Sequence, residues 1–198
     1  MKTALLLSGG MDSIALAYLK HPDLAITIDY GQVVAKAEIR TASAVCEGLK
    51  IPHEVVSVDC SALGSGDLAG RPSVALAPVS EWWPFRNQLL ITLAAMKAIP
   101  SGVQLLYIGT VKTDSVHADG SESFVNAMGG VLQLQEGRMS LEAPAIRMTS
   151  AELIRASGVP REVLAFAHSC HVAEFACGKC RGCSKHFQTM ETLGLEPY

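Results

Sequence analysis

Thr3-Ala4-Leu5-Leu6-Leu7-Ser8-Gly9-Gly10-Met11-Asp12-Ser13-Ile14-Ala15-Leu16-Ala17-Tyr18-Leu19 decides how this chain folds. Its first five residues form an almost continuously apolar run, and its last seven carry a helix-like pattern. A strand, a tight glycine turn and the start of a helix therefore follow one another without a linker. Backbone N–H groups in the first turn of a helix have no partner inside it, and the helix dipole adds partial positive charge there. Gly9 and Gly10 let an anion come up against the backbone with no Cβ in the way. The hydroxyls of Ser8 and Ser13 can donate to the same anion. Two other phosphate-binding patterns are absent. GxxxxGK followed by Ser or Thr does not occur, and neither does GxGxxG in a strand-to-helix setting. Gly64-Ser65-Gly66 lies in a Gly/Ser-rich stretch and reads as a flexible connector.

The rest of the chain repeats the strand-and-helix alternation. Short, nearly continuous apolar runs at 3–7, Leu24–Asp29, 54–59 and 105–109 read as parallel strands buried on both faces. Helical patterns at 12–20, 33–49 and Arg86–Ala98 lie between them. This is the signature of an α/β fold with a doubly wound parallel sheet, which binds ligands at the carboxyl ends of its strands. Three loops share that rim: Ser8–Ser13, Asp29-Tyr30-Gly31-Gln32 and Gly109-Thr110. Residues 61–80 lack periodicity and read either as a lid or as a plain connector. A helix over 121–134 is weakened by Gly129-Gly130. Thr149-Ser150-Ala151-Glu152 reads as a capping box opening a helix over 151–156, and Pro160 as the first turn of another short helix.

With 198 residues, 49% hydrophobic and 18% charged, the chain can build one substantial core. Residues 1–160 are expected to form an α/β domain, with a small helical cysteine-bearing segment at 161–198 packed on it. A net charge of −3 shows no footprint for duplex nucleic acid. No signal-peptide pattern and no membrane-length apolar run occur, so a cytoplasmic location is expected. Oligomeric state stays open, a homodimer among the options.

Cys170, Cys177, Cys180 and Cys183 form C-x6-C-x2-C-x2-C. Overlapping CxxC knuckles bring thiolates to one point, and four of them suit a structural zinc ion with no open coordination position. Three alternatives stand beside zinc: an iron–sulfur cluster, which four thiolates also allow; disulfides, which a cytosolic chain disfavours; and a redox CxxC, which lacks the strand-to-helix turn of a thioredoxin here. Lys179, Arg181 and Lys185 are expected to offset the thiolate charge; His168, His171 and His186 flank the cluster and are not assigned as ligands. Cys46 reads as a small core hydrophobe, and Cys60 is given no role.

The Ser8-Gly9-Gly10-Met11-Asp12-Ser13 loop resembles the PP-loop of the adenine-nucleotide α-hydrolase group, which includes the N-type ATP pyrophosphatases. Further motifs narrow the resemblance to the 7-cyano-7-deazaguanine synthases. They are Asp29-Tyr30-Gly31-Gln32, Pro84-Phe85-Arg86-Asn87, Thr149-Ser150-Ala151-Glu152-Leu153-Ile154, and Ser169-Cys170 followed by the three remaining cysteines. That resemblance implies an adenine-nucleotide α-hydrolase-like fold and an ATP-dependent ligase acting in queuosine biosynthesis. It implies ATP and magnesium, a deazapurine carboxylate, and ammonia or another amine as nitrogen source. It assigns ATP binding to Leu7, Ser8, Gly9, Gly10, Met11, Asp12, Ser13, Asp29 and Tyr30. Ser8, Asp12 and Arg86 would be catalytic, with Arg86 a fixed cation for a phosphate or a substrate carboxylate; the plainer readings are a surface ion pair at the helix start for Arg86 and a structural helix cap for Asp12. Gln32, Asn87, Asp114 and Asp119 would bind substrate, either aspartate also being a candidate magnesium ligand. Trp82-Trp83 would either stack on a heterocycle or anchor the loop.

The chain departs from that family pattern in places. Gly109-Thr110-Val111 stands where the family usually has Gly-Val-Asn, and Val33-Val34 where it has basic residues. The aromatic and Cys-Arg positions of the segment aligned with 114–124 are gone, and the spacing between the first two cluster cysteines is short. Nucleotide and metal parts are kept while substrate parts change. Two alternatives follow: a paralogue that joins the activated carboxylate to another amine, such as one on a protein, or an ATP-binding sensor without turnover.

Overall fold

Strand β1 (Thr3–Leu6) is the central strand of the sheet, with a strand along each edge and apolar side chains covering each face: Ala4 and Leu5, on opposite faces, are fully inaccessible. The computed structural model describes residues 1–197. In it β1 pairs in parallel with β2 (Leu24–Asp29) on one side and β4 (Leu105–Ile108) on the other. β3 (His53–Ser57) extends the sheet beyond β2, and β5 (Ser140–Glu142) extends it beyond β4. The order β3-β2-β1-β4-β5, with every described pairing parallel, is doubly wound. The direction of winding reverses between β1 and β4, so a crevice opens at the carboxyl ends of these two strands.

The helices follow from apolar faces that must find cover. α1 (Met11–Lys20) and α2 (Ala35–Leu49) bury Leu16, Ala17, Ala42 and Cys46 against Leu5, Leu7 and Ala25 on one sheet face. α3 (Arg86–Ala98) and α4 (Glu122–Gln133) cover the other face with Ile91, Ala94, Val125 and Met128 against Ile26 and Leu106. The second side of α1 is covered too. Met11, Ile14 and Ala15 pack against α5 (Ser150–Ser157), α6 (Arg161–Leu164) and α7 (Arg181–Leu193) through Leu153, Leu164 and Met190. Truncating a fully buried leucine in such a layer, Leu16 for example, costs about 2–5 kcal/mol. Among the described residues no helix is long and apolar enough to cross a membrane.

Several sequence expectations need correction. β5 leaves no mark in the sequence, because three residues at a sheet edge carry too little periodicity. Strands β1 and β4 stop at Leu6 and Ile108, and α2 starts at Ala35 after Val34, which fills the core as its N-cap. α4 forms despite Gly129-Gly130. Pro160 is the N-cap of α6 and lies outside its first turn. Gly64-Ser65-Gly66 is packed rather than flexible: a Cβ on Gly64 would stand 2.7 Å from the Trp83 ring, and one on Gly66 would collide with the Ser80 carbonyl oxygen. Asp67 N–H donates to that same carbonyl (2.8 Å), and the Ser80 hydroxyl donates to the Asp67 carboxylate (2.6 Å). The ends of the long loop are thereby tied together. Trp83 is 2% exposed and meets the Tyr30 ring edge-on at 4.9 Å, so this tryptophan anchors the loop to the core.

Candidate functional site

A cleft of about 290 Å³ opens at the carboxyl ends of β1, β2 and β4. Its floor is the turn between β1 and α1. Gly9 takes φ +75°, a left-handed conformation in which its missing Cβ would stand 3.0 Å from the Glu38 carbonyl oxygen and from Thr41. Gly10 is the N-cap of α1 and offers no side chain as cap. The first-turn N–H groups of α1 therefore face the cleft without intrahelical partners. The Ser13 hydroxyl donates to the Gly10 carbonyl (2.9 Å) and lies 3.3 Å from the Ser8 hydroxyl. The far wall is bound directly to the turn: His168 N–H donates to the Gly9 carbonyl at 2.9 Å.

The side toward β2 carries Tyr30, Glu38, Leu68 and Arg86. Arg86 starts α3 and lies half-buried; among the described residues no carboxylate comes within 4.0 Å of it. It is not the ordinary surface ion pair of a helix start. Gln32 is buried and faces inward, accepting from Tyr30 N–H (2.9 Å) and donating to the Ile28 carbonyl (3.1 Å) and the Glu38 carboxylate (2.7 Å). It braces the site and does not line the cleft. Asp29 likewise folds back, accepting from Gly31 N–H at 3.1 Å. Asn87 and Asp119 are spent on each other: Asp119 accepts from Asn87 N–H (3.0 Å), and the Asn87 amide donates to the Asp119 carbonyl (2.8 Å). Asn87 still lines the cleft, whereas Asp119 does not.

Glu38 carries a pH consequence. Burial pushes its carboxyl from an ordinary 4.5 up to about 7, outweighing the Gln32 hydrogen bond and the nearby Arg86 charge. The folded state then holds a proton that the unfolded chain releases, so Glu38 contributes stability fully below pH 4.5 and loses it as pH rises through 7. Allowing for water in the cleft, that loss is about 1–3 kcal/mol. Urea unfolding of the native chain and of Glu38→Gln at pH 4.5 and 8 should show the native chain losing this much more stability than the variant. Parallel losses would contradict the assignment.

The third wall comes from residues 114–117 and the C-terminal segment. Lys185 Nζ donates to Asp12 (2.9 Å) and to Asp114 (3.0 Å). Burial opposes its charge, but the two carboxylates outweigh burial and raise its pKa. Asp114 also accepts from Val111 N–H at 3.0 Å. Arg181 lies 3.2 Å from Glu81, whose other neighbour is His117 at 3.5 Å. The expectation that Arg181 and Lys185 serve the thiolates is corrected, since both turn to carboxylates that line the cleft.

The four cysteine sulfurs lie within 4.8 Å of one another, with Cys177–Cys183 at 3.9 Å and Cys170–Cys180 at 4.0 Å. Cys177 accepts N–H bonds from Lys179 and Cys180, and Cys180 accepts them from His171 and Cys183. Such bonds favour thiolates aimed at a common point, so the cluster is a metal site in its geometry and donor set. Cys180 is also the N-cap of α7, which ties this site to the placement of Lys185 one turn later.

The structure thus brings Leu7, Ser8, Gly10, Met11, Asp12, Ser13, Tyr30, Arg86, Asn87 and Asp114 to one cleft. Gly9 shapes its floor from beneath, and Asp29, Gln32 and Asp119 stand behind it. Sequence reasoning missed Glu38, Glu81, His117 and the cleft-facing role of Lys185. Glu81 and His117 sit in segments without periodicity, so nothing local marks them as inward-facing.

A family model described as queuosine biosynthesis protein QueC matches residues 2–194. The 7-cyano-7-deazaguanine synthase of Chlorobium chlorochromatii is 30% identical over 215 residues, covering 99% of this chain and 94% of that protein. The synthase of Methanocaldococcus jannaschii is 28% identical over 225 residues, covering 99% and 97%. Two solved structures share the fold. The U34-tRNA thiolase NcsA from Methanococcus maripaludis, with its four-iron, four-sulfur cluster, aligns at a TM-score of 0.57 and 18% identity over 98% of this chain and 65% of that one. NMN synthetase from Francisella tularensis aligns at 0.53 and 15% identity, over 98% of this chain and 78% of that one.

Proposed function

Because the chain belongs to the QueC family of queuosine biosynthesis proteins, we propose that it activates a 7-carboxy-7-deazaguanine-like carboxylate with ATP and passes the acyl group to an amine. It is then a carbon–nitrogen ligase of the 7-cyano-7-deazaguanine synthase kind. The observation that carries this reading is the Ser8–Ser13 turn at the point where the sheet reverses, facing a cleft that also holds Arg86 and Lys185.

A carboxylate oxygen attacks the α-phosphorus, and the bond to pyrophosphate breaks. The helix N-terminus beyond Gly10, with the Ser8 and Ser13 hydroxyls, takes the charge that develops on the departing pyrophosphate. Arg86 holds the reacting anions together, so their repulsion does not keep them apart. Lys185 fixes Asp12 and Asp114, and magnesium arriving with ATP would face these two carboxylates. The amine nitrogen then attacks the acyl carbon, and the carbon–oxygen bond to AMP breaks with loss of a proton. A second activation, now of the amide oxygen, would give the nitrile.

Zinc is the metal the cysteine cluster fits. Four thiolates bound at about 2.3 Å around one tetrahedral ion stand about 3.8 Å apart, close to the spacings seen. Thiolates of a four-iron cluster each bind a different iron and stand farther apart. A zinc ion held by four thiolates supplies a cross-link and no reactive position.

Incubation with ATP, magnesium, the carboxylate and ammonia tests the proposal. One AMP released per amide formed, and none without the carboxylate, is the expected result. ATP binding with no AMP release would make the chain a nucleotide binder and overturn it. Product mass identifies the amine, whether ammonia or a larger one.

A further inference from the structure

Glu81 is the most unusual polar residue outside the nucleotide floor. It lies at the end of the long loop preceding α3, its side chain 5% exposed, on the wall of the cleft. Burying a carboxylate is costly unless partners surround it. Its Oε1 has two, Arg181 and His117, but its Oε2 is buried without a hydrogen-bond partner among the described residues. Burial alone would raise its pKa; the His117 hydrogen bond, a backbone N–H and the Arg181 charge instead bring it down to about 2. Glu81 is therefore an ionised acceptor with capacity to spare. Three segments that are remote in sequence converge on it: the long loop, residues 114–117 and the metal-bearing segment.

The pairing with Arg181 gives the wall a directional pattern. The guanidinium supplies N–H donors, and the carboxylate beside it supplies one unpartnered acceptor, Oε2. A 7-deazaguanine presents the complement along one edge: a carbonyl oxygen, then a ring N–H, then an exocyclic amino group. We propose that Glu81 and Arg181 read this edge, Glu81 accepting from the amino group through its unpartnered Oε2 and Arg181 donating to the carbonyl oxygen. The 7-carboxylate then extends from the opposite side of the heterocycle, toward the floor that holds the triphosphate. Glu81 is thereby the residue that distinguishes a 2-amino heterocycle from one lacking that group. This inference rests on the deazapurine reading above.

The test compares the native chain with Glu81→Gln on 7-carboxy-7-deazaguanine and on its analogue lacking the 2-amino group, reading AMP release. The native chain should favour the 2-amino substrate by about 10- to 100-fold in kcat/KM, the discrimination expected of a hydrogen bond to a charged group. In Glu81→Gln that preference should fall to within about threefold of unity, with KM for ATP unchanged. A glutamine that leaves the preference intact overturns the role of Glu81 while the ligase reading stands. A native chain that releases no AMP with either carboxylate overturns both. If Glu81→Gln does not fold, Glu81→Asp serves: it keeps the charge but withdraws it by one methylene, and an undiminished preference there overturns the inference equally.

Discussion

Gly10→Ala is expected to fold as the native chain does and to bind ATP about 100-fold more weakly, or worse. Gly10 has φ −76° and ψ 157°, a conformation alanine adopts freely. An added Cβ would meet only the Ser8 hydroxyl at 3.5 Å and the His168 carbonyl oxygen at 3.8 Å, both ordinary contacts. Nothing within the protein thus demands glycine at this position. A phosphate seated on the N-terminus of α1 does demand it, because a methyl group there holds the anion away from the backbone donors. Losing one or two hydrogen bonds to a charged group, at about 1.5–3 kcal/mol each, gives the stated loss. Gly9→Ala behaves differently. With φ +75° and contacts at 3.0 Å, alanine there strains the turn and lowers stability as well. Calorimetry with ATP beside thermal unfolding separates the two variants. Undiminished ATP affinity in Gly10→Ala would contradict the assignment of the turn.

The second large effect is expected at the metal site. Cys183 is fully buried in the first turn of α7. Cys183→Ser should abolish stoichiometric metal binding and lower the Tm by about 10 °C or more, since structural sites of this kind contribute many kcal/mol to folding. Turnover should fall below about 1% of native, because α7 carries Lys185 and Arg181 into the cleft. Lys185→Met divides the two roles. It should retain one metal ion per chain and lose at least about 100-fold in kcat, as Asp12 and Asp114 are left facing each other and the incoming triphosphate without a cation. Native turnover by Lys185→Met would reduce the metal segment to a clamp.

The floor of the site was legible in sequence because it is local. Ser8 to Ser13 are contiguous, and their strand-to-helix setting follows from the residues on either side. The four cysteines were legible for the same reason. Gln32, Asp29 and Asp119 were recognisable as parts of motifs but not by direction. Whether an amide or carboxylate faces a ligand or braces a turn depends on hydrogen bonds to Tyr30, Gly31 and Asn87 that no spacing encodes. Lys185 and Glu81 were out of reach for a different reason. Lys185 meets Asp12 across 173 positions of sequence, and Glu81 meets Arg181 only once the sheet has wound and the metal segment has folded back over the cleft. β5 was hidden by brevity, Ser140 to Glu142 being held in place by β4 rather than by a pattern of their own.

The transfer of oxygen decides whether a carboxylate is adenylated in this cleft. With both carboxylate oxygens of the deazapurine acid labelled with oxygen-18 and ammonia in excess, mass spectrometry of the AMP from a first, amide-forming turnover should show one labelled oxygen in its phosphate. That is the atom which attacked the α-phosphorus and left with it. AMP that carries no label, or label appearing in inorganic phosphate with release of ADP, would contradict carboxylate attack at the α-phosphorus.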